Sequence, residues 1–141
     1  MKAITLMQPW ATLVAIGIKR IETRGWRTDY RGPIAIHAAK RFPRRARELC
    51  EQPAFRYALR GVRTPLPLGC VLCTCQLREI HLAQDLTSQT EFPFLRGDDL
   101  LTQFQFGDFA DGRFAWMLSD VNQINPPIAA KGALSFWEWT A

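Results

Sequence analysis

The first periodic stretch of the chain is helical: Trp10, Leu13, Val14 and Gly17 fall at i, i+3, i+4 and i+7, the spacing of one helix face. Pro9 suits the first helical position and Gly17 a C-terminal stop. From Ile18 to Arg24 a strand is expected, on which alternation places Glu22 and Arg24 on one face and Ile21 and Thr23 on the other. A second strand, Pro33 to Ala38, turns Ile34 and Ile36 inward and His37 outward. Pro43 opens a helix with Ala46, Leu49 and Cys50 inward. Pro53 opens another that ends at Gly61 with Ala54, Ala58 and Leu59 buried. The β-prone run Gly69 to Leu77 reads as a buried strand. Asp111-Gly112 is a turn before a strand from Phe114 to Val121, and Ala133 to Thr140 is a last strand whose Trp137 and Trp139 pack a barrel. Between these, Glu91 to Asp111 holds five acids against Arg96 alone and reads as a solvated loop with a short helix, its Phe104, Phe106 and Phe109 serving as core or lid. The order of elements, with mostly antiparallel strands, predicts an α+β fold: a small barrel with flanking helices.

Candidate chemistry concentrates where the first helix hands over to its strand. Lys19, Glu22 and Arg24 lie within six residues, and Lys19 joins the other two if the intervening turn permits. As a functional set, they offer a carboxylate between cations. As a structural set, Glu22 and Arg24 form an ion pair closing one end of the barrel, with Lys19 solvated. Cys70, Cys73 and Cys75 do not have the pattern of a metal site. On a regular strand Cys70 and Cys73 face opposite sides, and no second Cys or His pair completes a zinc set. They read as small core side chains, reduced as in the cytosol. The acidic stretch lacks the ligand spacing of a known oxygen-ligand site, so neither a metal nor a cofactor is implied.

The length of 141 residues and 48% hydrophobic content suit one domain spanning residues 1–141 with a core of ordinary size. There is no apolar run of 18 residues and Met1-Lys2-Ala3-Ile4 does not open a signal peptide, so a cytoplasmic chain without a membrane role is expected. The net charge of +5 is uneven. Lys40, Arg41, Arg44, Arg45, Arg47, Arg56, Arg60 and Arg63 stand against Glu48 and Glu51 between residues 40 and 63, whereas the remainder holds 10 basic and 11 acidic residues. Arg56 and Arg60, four apart on one helical side, can meet successive phosphates of a nucleic-acid backbone, or simply be a solvated basic face. Trp26, Tyr30 and His37 follow the charged set closely, and exposed rings beside basic groups stack on unpaired bases.

The run QPWATLVAIGIKRIETRGWRTDYRGPIAIHAAK resembles the ASCH domain, whose signature G-x-K-x-x-E-x-R reads here as Gly17, Lys19, Glu22 and Arg24. The segments LPLGCVLCTCQL, RFAWMLSDVNQI and KGALSFWEW follow in the order of that family's strands. The resemblance implies a PUA-like β-barrel with flanking helices and binding of RNA or DNA in a cleft beside the signature. In that reading Lys19, Lys40, Arg41, Arg44, Arg45 and the other arginines neutralise phosphates, Glu22 accepts from a base amino group, and Arg24 orients Glu22. Some small relatives are hydrolases, including N4-acetylcytidine amidohydrolases and suggested ribonucleases. Lys19 matches the amidohydrolase lysine. The position of their threonine nucleophile is Glu22, however, and alternation is expected to turn Thr23 away. The enzymatic alternative therefore uses Glu22 as general base and Lys19 as oxyanion donor, with Glu79 or Glu91 as candidates for the distant carboxylate; for a ribonuclease role His37 serves as acid or base, His81 being remote.

Overall fold

In a computed structural model that describes residues 1–87 and 97–141, the elements run β1 (Lys2–Leu6), α1 (Trp10–Ala15), β2 (Ile21–Arg24), β3 (Gly32–Ala38), α2 (Arg44–Leu49), α3 (Pro53–Ala58), β4 (Cys70–Leu82), α4 (Gly97–Gln103), β5 (Phe114–Ala129) and β6 (Trp137–Glu138). The expected α+β class is present. The strands form one six-stranded sheet in the order β2-β5-β4-β3-β1-β6, and β1 with β3 is its parallel pair; the other pairings are antiparallel. Among the described residues no pairing joins β2 to β6, so the sheet is open at these edges rather than closed by a full ladder.

Hydrophobic alternation explains how the sheet wraps α1. Ile4 and Leu6 of β1, Ile34 and Ile36 of β3, Leu77 of β4 and Trp116 and Leu118 of β5 converge with Val14 of α1 into one core. The opposite face of β5 contributes Ala115 and Met117 to a second cluster with Ile21 and Leu100. Both faces of β5 are thus covered at Ala115 to Leu118, which are buried without exception. Ala3, Ala35, Val71 and Trp139 pack on the far side of β1 and β3.

Four expectations are corrected. The strand β1 was not expected from the sequence pattern, yet it lies inside the sheet, between β3 and β6. The terminal strand shrinks from Ala133–Thr140 to the two residues of β6, while β5 extends from Phe114 to Ala129, well past Val121. Cys70 and Cys73 do not face opposite ways: the ladder to β5 shifts between Val71 and Cys73, and this irregularity brings Cys70, Leu72, Cys73 and Cys75 into the same core, as a bulge does by inserting a residue into the alternation. The stretch read as a solvated loop with a short helix buries Leu100 and Gln103 in its described part, while its phenylalanines take the expected core role: Phe106 packs with Leu13, Phe55 and Ala58, and Phe104 and Phe109 pack against the second cluster. The helices opened by Pro43 and Pro53 are present, with Ala46, Phe55 and Ala58 buried and Leu49, Cys50, Ala54 and Leu59 half-buried.

Burial pushes the Cys73 thiol up to about 12 and raises that of Cys75 as well, so neither presents a thiolate near neutral pH. Iodoacetamide at pH 8 is expected to leave Cys73 and Cys75 unlabelled in the folded protein and to modify them after denaturation, as read by peptide mass spectrometry. Labelling of Cys73 in the native state at the rate of a free peptide contradicts this packing.

Candidate functional site

The turn between α1 and β2 is built to bury a lysine. The carbonyl of Leu13 accepts the N–H groups of both Ile18 and Lys19, at 3.1 and 2.9 Å. Gly17 makes the reversal at φ +81°, a conformation costly for residues with a Cβ. Gln103, at the end of α4, then clamps the turn: its Oε1 accepts the N–H groups of Arg20 (2.7 Å) and Ile21 (3.2 Å), and its Nε2 donates to the carbonyl of Ile18 at 2.8 Å. At the other end of α1, buried Gln8 accepts from the Thr12 N–H at 3.0 Å and donates to the Pro67 carbonyl at 2.8 Å.

This scaffold drives Lys19 inward to 1% exposure and leaves Glu22 at 7%. The Lys19 ammonium sits 3.1 Å from Glu22 Oε1 and donates to the Ile21 carbonyl. On the other carboxylate oxygen, Arg24 Nε lies 3.7 Å from Glu22 Oε2, while Arg24 Nη2 donates to the Thr5 carbonyl of β1 at 3.1 Å. Arg24 Nε itself is buried and has no hydrogen-bond partner among the described residues. Burial lowers the pKa of Lys19, the neighbouring Glu22 carboxylate opposes that shift, and Arg24 adds to it. The three signature side chains are thus assembled as one unit, with Lys19 beneath the carboxylate rather than solvated.

Glu22, Thr23 and Arg24 form one wall of a cleft of about 1490 Å3. Trp10, Phe55 and Phe106 give it an aromatic lining, and Lys40, Arg41, Arg113 and Lys131 supply cations around it. With Arg24, five cationic side chains among the described residues border the cleft, against the carboxylates of Glu22 and Asp108. Asp108 is held by Arg113, whose Nε lies 3.6 Å from Oδ2 and whose Nη2 donates to the Thr23 carbonyl at 3.2 Å.

Of the residues expected in the site, Glu22, Arg24, His37, Lys40 and Arg41 border this cleft. Lys19 does not reach it, so neither phosphate neutralisation nor an oxyanion role fits its buried position. Thr23 does border it, against the expectation that alternation removes it. His37 is not outward: it is 2% exposed, because β3 shifts register at Ile36/His37 and residues 130–137 cover that face. Its Nε2 bonds the Ala130 carbonyl at 2.7 Å and its Nδ1 lies 3.2 Å from Thr5 Oγ1, which accepts from Trp137 Nε1 at 3.0 Å. Nε2 therefore carries the proton of the neutral ring. Gly132 sits so close that a Cβ there would lie 2.7 Å from the His37 ring.

Other expected residues lie elsewhere. Trp26 packs edge-on against Trp116 and Phe136, at 4.8 and 5.4 Å between centroids. Tyr30 packs on Phe136 at 5.6 Å and donates its hydroxyl to the Pro33 carbonyl at 2.7 Å. Arg44, Arg45, Arg56 and Arg60 are exposed on the α2–α3 side, with Arg44 paired to Glu48 at 3.1 Å and Arg60 folded over Tyr57 at 3.8 Å instead of standing in a row with Arg56. Glu79 pairs with His81 at 2.8 Å, and Glu91 lies outside the described residues. Sequence reasoning missed Gln8, Gln103, Arg113 and Lys131. Gln8, Gln103 and Arg113 act through partners 59 to 90 residues away in the chain, and no local period signals such a contact.

Comparison with known proteins places these features in a lineage. A family model described as the ASCH domain matches residues 4–128. Activating signal cointegrator 1 of Homo sapiens is 34% identical over 103 residues, covering 65% of this chain and 18% of that protein. The Mus musculus protein of the same name is 31% identical over 142 residues, covering 96% of this chain and 22% of its own length. The chain therefore spans about a fifth of the length of these curated relatives. The crystal structure of ASCH from Zymomonas mobilis superposes with a TM-score of 0.50 at 19% identity, over 91% of this chain and 72% of that one, a likeness of fold.

Two substitutions test the assembly. Gln103→Ala strands two N–H groups and a carbonyl at the turn, and is expected to lower stability by about 2–3 kcal/mol in urea unfolding, at about 1 kcal/mol per bond. Lys19→Met leaves Glu22 partly unpaired and is expected to cost about 3–5 kcal/mol. Combining it with Glu22→Gln should cost clearly less than the sum of the two single changes; simple additivity would show that the pair is not coupled.

Proposed function

The chain belongs to the ASCH domain family, whose PUA-like members are associated with RNA binding, and from that membership we propose that residues 1–141 act as one nucleic-acid-binding domain whose cleft beside Glu22 and Arg24 holds RNA or DNA. The observation that carries this reading is the charge and shape of the cleft: five cations at its borders, an aromatic lining, and a single carboxylate of the signature fixed at its wall. Cations at a rim neutralise phosphates and release counterions, which supplies affinity without sequence preference. Aromatic surfaces in the interior accept an unstacked base. Lys40 and Arg41 stand at the junction between the cleft and the exposed arginines of α2 and α3. The backbone of a bound strand is read as running from the cleft mouth onto Arg44, Arg45 and Arg56.

Role assignments change accordingly. Lys19 neutralises Glu22 from beneath instead of meeting phosphate, and Arg24 holds Glu22 while offering its own guanidinium to the cleft. A hydrolase using Lys19 as oxyanion donor has less support, since that ammonium is engaged by Glu22 and the Ile21 carbonyl. No helix among the described residues is long and apolar enough to cross a membrane. The four free cysteines favour a reducing compartment such as the cytoplasm.

Fluorescence anisotropy against labelled RNA and DNA, single- and double-stranded, over a salt series tests the reading. Binding should weaken with salt on a log–log slope of about −2 to −5, and Lys40→Ala or Arg41→Ala should each reduce that slope by about 1 while lowering affinity. Lack of binding to all four probes at low salt overturns it.

A further inference from the structure

Glu22 is short of hydrogen-bond donors for a buried carboxylate. A carboxylate offers about four lone-pair sites on its two oxygens. Within the protein, Oε1 receives Lys19 at 3.1 Å, whereas the cation nearest Oε2, Arg24 Nε, stands at 3.7 Å, beyond hydrogen-bond distance. The side chain is nevertheless 7% exposed, and that remaining exposure faces the cleft it borders. Such a group gains most from a ligand that brings two donors side by side, because leaving a buried charged acceptor unfilled costs more than an ordinary hydrogen bond returns.

Arg24 extends the pattern. It borders the same cleft, lies on the Oε2 side of the carboxylate, and has spent Nη2 on the Thr5 carbonyl; its Nε is buried, so the donor left for the cleft is the Nη1 end of the guanidinium. The wall therefore sets a guanidinium donor of Arg24 beside the acceptors of Glu22. Among unmodified bases in their usual tautomers, one Watson–Crick edge is complementary throughout: guanine, with the acceptor O6 followed by the donors N1–H and N2–H. Adenine and cytosine each set one amino donor beside a ring nitrogen acceptor, whose lone pair would face a carboxylate oxygen. Uracil and thymine place their one imino donor between two carbonyls.

We propose that Glu22 and Arg24 select an unpaired guanine, the base entering the cleft with N1–H and N2–H on the Glu22 carboxylate and O6 toward Arg24. The selection rests on the reading of the cleft as a nucleic-acid site and adds a base identity to it. An arginine side chain also offers paired donors, but the cations at the cleft border repel it.

The experiment compares single-stranded oligouridylates carrying one central G, A, C or inosine, by competition anisotropy at fixed salt with the full chain. The G-containing strand is expected to bind about tenfold or more tightly than the A, C and all-uridine strands, the gain of a good bidentate base contact. Inosine keeps N1–H and O6 but lacks the N2 amino group, and should lose most of that advantage. Glu22→Gln replaces one acceptor by a donor and should bring the G strand level with the others. Because that variant leaves Lys19 buried beside a neutral amide, its fold is checked by circular dichroism; the G-to-inosine comparison uses the unaltered protein and stands without it. Equal affinity for all strands, or for G and inosine, overturns guanine selection and leaves nucleic-acid binding in place. Failure of every strand to bind overturns both.

Discussion

The buried contact between Lys19 and Glu22 is the constraint around which this end of the molecule is organised. Removing an ammonium from water to 1% exposure costs several kcal/mol even after relaxation, and a counterion returns this only if the geometry is held. Each neighbouring element contributes to holding it. The end of α1 supplies the Leu13 carbonyl and the Gly17 reversal, α4 supplies Gln103, β2 aligns Glu22, and β1 receives Arg24 on the Thr5 carbonyl. None of these contacts is a large stabiliser by itself. Together they fix an arrangement that a hydrophobic replacement of Lys19 would not require, which suits a group kept for its position.

The sheet explains why β2 can serve as the site wall. As an edge strand it pairs with β5 on one side only, with Glu22 opposite Trp116 and Arg24 opposite Phe114. Among the described residues its other side carries no ladder, and residues of both orientations, Glu22, Thr23 and Arg24, border the cleft. An unpaired edge is usually a hazard for aggregation, and charged side chains are a common remedy. Here the same charges are neutralised internally and directed at a cavity, while β5, covered on both faces, supplies a rigid backing.

Much of this was legible in the sequence where a rule acts over a few residues. Alternation put Glu22 and Arg24 together, proline and glycine bounded α1, α2 and α3, and the spacing of Gly17, Lys19, Glu22 and Arg24 carried the family resemblance. What was lost depended on departures from regularity or on distant partners. His37 was read as outward because alternation assumes one wet face, whereas residues 130–137 cover it. The cysteine strand obeyed period two only until its ladder shifted at Val71/Cys73. The strand β1 has five residues, too few for its own period to declare that it sits parallel to β3. Trp26 and Tyr30 looked like site residues by nearness in sequence, but their rings complete a core with Trp116 and Phe136.

If the cleft holds a polyanion as proposed, a carboxylate on its wall is an electrostatic contradiction unless its charge is cancelled. At an effective dielectric of about 20, two unit charges 4 Å apart interact by about 4 kcal/mol, so a bare Glu22 would repel a nearby phosphate. Lys19 from beneath and Arg24 from the side leave the trio with a net positive charge. In the proposed reading the carboxylate then remains a pure acceptor without weakening the hold of Lys40, Arg41 and Lys131 on a backbone. Burying Lys19 would thus separate two tasks that otherwise conflict, with phosphate attraction at the rim and the reading of a base edge at the wall.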